Sequence, residues 1–140
     1  MKKIAVIYWS GTGNTEAMAD AVAMGIEEKG ASADLIAVDS FDVSTISTYD
    51  AFAFGCPSMG SEVLEESEFQ PMWDDIISEL IGKSVILFGS YDWGDGEWMQ
   101  EWEESCGDLG IEVIDTLTCN LTPDDDDLSK CSELGKKLIR

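Results

Sequence analysis

The sequence predicts a doubly wound α/β domain built on a five-stranded parallel sheet in the order 2-1-3-4-5. Three observations lead to it. Five short runs rich in β-branched and aromatic residues alternate with segments of helical period. The runs are apolar on successive residues, as strands buried on both faces are. Helical segments between them supply right-handed crossovers. With 140 residues, 44% of them hydrophobic, the chain has the size and the apolar content of one domain spanning 1–140.

The first run, residues 3–9, reads Lys-Ile-Ala-Val-Ile-Tyr-Trp. Met18, Ala21, Val22, Gly25 and Ile26 then share one face of a helix over 15–29. Further strands are expected over 33–38, 50–56, 84–89 and 111–118, and further helices over 68–80, 97–108 and 125–139. The acidic run Asp124 to Asp127 follows Pro123, the pattern of a helix start, where the helix dipole favours negative side chains. Trp98 and Trp102, four apart on the third helix, are expected in the core, as are Trp9 and Trp73.

Charge narrows the function classes. The 29 acidic residues against 8 basic ones give a net charge of −21, which repels nucleic acid and anionic membranes and attracts basic proteins. No apolar run approaches the roughly 20 residues of a membrane span, and Met1-Lys2-Lys3 leads directly into a strand, so a cytoplasmic protein is expected. Cys56, Cys106, Cys119 and Cys131 show no metal spacing, and histidine is absent. They read as reduced, small hydrophobes, with neither a metal site nor a disulfide framework.

Ligands of doubly wound sheets bind outside the carboxyl ends of the strands. Three of the loops expected there are unusual. Ser10-Gly11-Thr12-Gly13-Asn14-Thr15, just before a helix, gathers hydroxyls and an amide around two glycines and suits an anion, although a tight connection reads the same way. It lacks the lysine of a Walker loop and the third glycine of a dinucleotide fingerprint, having Glu16 there; only Asp39, after the second strand, speaks for a dinucleotide ribose. Pro57-Ser58-Met59-Gly60-Ser61-Glu62 is in isolation a turn. Ser90-Tyr91-Asp92-Trp93-Gly94 sets two aromatics among small residues, where they cover either a flat ligand or the core edge.

Tyr-Trp-Ser-Gly-Thr-Gly-Asn-Thr at 8–15, Met-Gly-Ser-Glu with Leu-Glu-Glu-Ser-Glu from 59, and Leu-Phe-Gly-Ser-Tyr-Asp-Trp-Gly-Asp-Gly at 87–96 together resemble the short-chain flavodoxins of the clostridial type. The resemblance covers essentially the whole chain. It implies that the first loop holds the phosphate of one FMN, that Met59 lies on the inner face of the flavin and Trp93 on the outer, and that Glu62 meets the pyrimidine end. It also implies that the Gly60–Ser61 peptide turns its carbonyl toward flavin N5 on reduction and stabilises a neutral semiquinone. The function implied is a low-potential one-electron carrier, not an enzyme, working between semiquinone and hydroquinone.

Physics supports the low potential: fully reduced flavin is an anion, and no cation is expected near it in a chain of charge −21. Two departures stand out. Asp92 occupies a position usually glycine in this subgroup, and Pro57 removes a backbone donor that Ser58 is expected to replace. A flavin reductase using a nicotinamide cosubstrate and a phosphoacceptor receiver domain share the fold. The first lacks room here, and the second lacks its acidic residues, since Ser10 and Cys56 stand at the strand ends. Partners are expected to be redox proteins with basic docking surfaces, meeting a monomer along an acidic rim of Glu62, Glu65, Glu66 and Asp95.

Overall fold

The computed structural model describes residues 2–59, 64–92, 94 and 96–139. Strands β1 (Lys3–Tyr8), β2 (Ser32–Ala37), β3 (Ala51–Gly55), β4 (Ser84–Tyr91) and β5 (Glu112–Asn120) pair in parallel in the order β2-β1-β3-β4-β5. Helices α1 (Asn14–Glu28), α2 (Phe69–Ile76), α3 (Glu97–Asp108) and α4 (Asp125–Lys136) fill the connections. Every strand and helix expected from the sequence is present. The second helix is shorter than expected, passing at Ile77–Leu80 into a 3-10 turn. Between β2 and β3 lie two more such turns, Val38–Ser40 and Val43–Thr48, where the sequence suggests only a connection. The second is started by Asp42, which accepts from the Ser44 N–H and hydroxyl.

Central β3 is buried at every residue, whereas the edge strands β2 and β5 are mostly half-buried, because each has a neighbour on one side only. The two faces of the sheet pack differently. One is aromatic, with Phe54 edge-on to Trp73 at 5.0 Å and Trp73 edge-on to Trp102 at 5.5 Å. The other is aliphatic, with Ile4, Val6, Met18, Val22, Ile26 and Leu134. There α1 and α4 touch backbone to backbone: a Cβ on Gly25 would stand 2.0 Å from the Ser132 carbonyl oxygen, and one on Gly135 2.3 Å from that of Val22. This contact holds α1, and with it the loop that feeds α1, at a fixed height above the sheet.

Asp124 caps α4 through a reciprocal pair with Asp127, so the acidic run is a helix start. The four cysteines are free and buried. Burial pushes the Cys56, Cys106 and Cys131 thiols up to about 12 and Cys119 to about 11, so all four stay protonated. Among the described residues no helix is long and apolar enough to cross a membrane.

Candidate functional site

The strand order reverses between β1 and β3, so the chains leaving them diverge and open a crevice at their carboxyl ends. The first loop borders it. Gly13 precedes α1 at φ 93°, a conformation that L side chains rarely adopt, and no side chain caps the helix. Its N–H donates to Ser10 Oγ at 3.0 Å, which closes the loop on itself. Ser10 Oγ, having accepted, still carries a proton to donate.

Thr15 reaches across to a second strand. It is buried, and its hydroxyl lies 3.0 Å from Ser90 Oγ and accepts from the Ser90 N–H at 3.4 Å. It ties α1 to β4. What the loop offers an anion is the first turn of α1, with Asn14 half-buried, Gly11 and Thr12 exposed, and Ser10 beside them.

The other loops meet the first. Cys56 N–H donates to the Phe88 carbonyl at 3.1 Å and Ser58 N–H to the Ser90 carbonyl at 3.0 Å. Glycine at 89 permits the approach, since a Cβ there would sit 2.1 Å from the Cys56 carbonyl oxygen. The Ser58 N–H is thus already paired and does not replace the donor lost at Pro57. Strand β4 runs two residues beyond its expected end, so Ser90 and Tyr91 belong to it. The Tyr91 ring packs 5.6 Å from Trp98, as its core-edge reading expects, and Tyr91 also lines the crevice. The Tyr91 carbonyl accepts from Leu121 N–H at 2.8 Å and Asn120 Nδ2 at 3.2 Å, bringing in the loop after β5, which the sequence reading missed. The rule that singled out three strand ends applies equally to this fourth.

The result is a cleft of about 270 Å³ lined by Trp9, Gly11, Thr12, Pro57, Ser58, Met59, Ser90, Tyr91 and Asp92. Of these Asp92 is exposed, and Gly94, further along the chain, is exposed too. The roles expected of Gly60, Ser61, Glu62 and Trp93, and the place of Asp95 on the rim, fall outside the described residues. Asp39 lies in a neighbouring recess with Glu16 and Glu68.

Two further expectations are corrected. Trp9 is only half-buried: it follows the last residue of β1, so one part of its ring meets the core while another covers Gly11 and lines the cleft. Its indole N–H donates to Glu68 Oε1 at 3.0 Å. Glu65 is no part of an acidic rim, being 5% exposed. Its carboxylate accepts from Ser67 N–H at 2.9 Å, the Ser67 hydroxyl, Glu68 N–H at 2.8 Å and Phe69 N–H at 2.8 Å. Burial alone would raise this carboxyl, but those hydrogen bonds outweigh it and hold it below the usual glutamate value.

No lysine or arginine is among the cleft's described lining residues, and the donors the first loop supplies are hydroxyls, an amide and a helix N-terminus. A phosphate monoester joined to a flat, mostly apolar ring fits such a donor set. The family model described as Flavodoxin matches residues 6–135. The chain belongs to the flavodoxin family.

It is 44% identical to the flavodoxin of Clostridium beijerinckii and 42% identical to that of Megasphaera elsdenii, each over 133 residues, covering 95% of this chain and 96% of the relative. The solution structure of two-electron reduced Megasphaera elsdenii flavodoxin superposes with a TM-score of 0.89 at 41% identity, covering 96% of this chain and 97% of that one. A flavodoxin from the domain Archaea gives a TM-score of 0.87 at 28% identity, covering 97% of this chain and 95% of that one. As a flavodoxin, this chain is an FMN-binding electron-transfer protein rather than an enzyme.

Proposed function

We propose that FMN lies across the carboxyl ends of β1, β3 and β4, its phosphate at the first turn of α1 and its ring in the cleft beyond. The observation that carries this reading is the uncapped start of α1, held to β4 by the buried Thr15–Ser90 pair and opening on a cleft with no cation among its described lining residues. Ser10, Thr12, Asn14 and Thr15, with the backbone of Gly11 and Gly13, hold the phosphate. Met59 and Trp93 take the two ring faces, Glu62 takes the pyrimidine end, and the Gly60–Ser61 peptide adjusts to the ring's protonation. Pro57, Ser58, Ser90, Tyr91, Asp92 and Gly94 form the walls.

FMN supplies the redox chemistry, exchanging electrons singly. The chain's own part is electrostatic. Uncharged donors balance the phosphate without placing a cation near the ring, and the surrounding −21 charge opposes further negative charge there. The second electron is therefore held at a strongly reducing potential.

Partners are redox proteins with basic docking surfaces, met by a monomer in the cytoplasm through carboxylates including Glu62, Glu66, Asp92 and Asp95, and neither nucleic acid nor membrane is bound. Support comes from the charge and from the exposure of Glu66 and Asp92. Binding to the apo-protein, followed by flavin fluorescence, tests the site: FMN is expected to bind far more tightly than riboflavin, which lacks the phosphate. Equal affinities would remove the phosphate from the first loop.

A further inference from the structure

Glu65 is buried, ionised and outside the cleft lining, and it makes more hydrogen bonds than helix capping requires. A helix start is ordinarily served by a short serine, threonine or aspartate beside the first turn. Here a glutamate reaches from the preceding segment, its Oε2 taking both Ser67 donors and its Oε1 taking the N–H groups of Glu68 and Phe69. Its backbone is engaged as well. The Glu65 N–H donates to Cys56 Sγ at 3.3 Å, and its carbonyl accepts from Gln70 N–H at 2.8 Å.

Cys56 is in turn fixed from two sides, its N–H on Phe88 and its carbonyl accepting the Trp98 indole N–H at 3.3 Å. The two residues therefore join the end of β3 to the start of α2, and between them in the sequence lie 57–64, the segment that carries Met59 to Glu62. The same helix start reaches the first loop, since Glu68, whose N–H Glu65 holds, accepts the indole N–H of Trp9.

We infer that Glu65 is a positioning residue: with Cys56 it joins the end of β3 to the start of α2, and so holds the Pro57, Ser58 and Met59 wall of the cleft for the flavin ring and sets at what potential the ring takes its first electron. The inference rests on the reading of the cleft given above and adds a residue to it. Burying a carboxylate is costly unless every lone pair is met, and the four donors meet that requirement. Removing one oxygen leaves donors without an acceptor.

The test uses the FMN-loaded protein and its apo form with Glu65→Gln and Ser67→Ala. In Glu65→Gln the amide turns a donor toward groups that are themselves donors. FMN affinity is expected to fall roughly tenfold, the loss expected of an unmet buried hydrogen bond. Riboflavin affinity should fall by the same factor, leaving the FMN-to-riboflavin ratio unchanged, and the first potential should become more negative. Ser67 is exposed, so Ser67→Ala keeps the fold and should give a smaller change in the same direction. If both variants keep the wild-type affinities and potential while only thermal stability drops, Glu65 serves the fold alone and the inference is overturned. If wild-type protein fails to discriminate FMN from riboflavin, the reading of the cleft falls first and takes the inference with it.

Discussion

The first loop and the segment after β3 border one cleft, yet they are held by opposite means. The first is held by its own residues and one partner strand: Gly13 donates to Ser10 three residues away, and Thr15 meets Ser90. The second is held from outside, by a buried carboxylate on the far side of the segment and a thiol at the strand end. A loop that holds a constant group, the phosphate, gains from stiffness. On the proposed placement of FMN, the second segment meets a ring whose protonation changes, and its described ends are held by the fold.

That contrast can be broken most directly at the first loop. Thr15→Val removes the partner of a buried serine hydroxyl and should cost about 1–3 kcal/mol of stability, read by urea unfolding of the apo-protein. FMN binding should weaken too, with little change in the interval between the two potentials. Gly13→Ala comes next. A Cβ there meets nothing within 4 Å, so the cost is conformational alone, about 1–2 kcal/mol for a left-handed alanine, and Gly13→Asn should recover part of it.

The second segment is distinguished by acid. Glu65 is held below its ordinary value when folded, so its stabilisation is complete above the unfolded value of about 4.3 and is lost as pH falls through the lower folded one. Cys56, facing it, is pushed up to about 12 by burial and stays neutral throughout. Other depressed carboxyls, Asp42, Asp115 and Asp127, add their own acid loss, so the difference between wild type and Glu65→Gln is the informative quantity. Stability of Glu65→Gln should fall less steeply with acid below about pH 4.3. An identical slope would remove the carboxylate from the account.

The smallest effect is expected at Asp92. Exposed on the cleft's edge, it adds negative charge beside the proposed flavin site, so Asp92→Gly should raise the second potential slightly at low salt. The difference should vanish near 1 M salt, where the screening length is about 3 Å. A difference that persists at high salt would point to backbone conformation instead of charge.

The sheet and its order were legible because β-rich runs and helical faces alternate cleanly, and the acidic run after Pro123 was legible because capping is local in sequence. The inward turn of Thr15 was not. It depends on Ser90, 75 residues away, and on β4 extending to Tyr91. Glu65 reads as surface charge in Leu-Glu-Glu-Ser-Glu, since nothing local tells which of adjacent carboxylates meets backbone donors and which meets water. Trp9 misleads for a related reason: a strand's last aromatic is core by composition, but at the sheet's end it covers a loop.

Stepwise anaerobic reduction of the FMN-loaded protein, followed by absorption, bears most directly on the proposal that FMN sits in a cleft with no cation among its described lining residues. Two separate one-electron steps are expected, the second at markedly lower potential. A single two-electron wave would contradict the account.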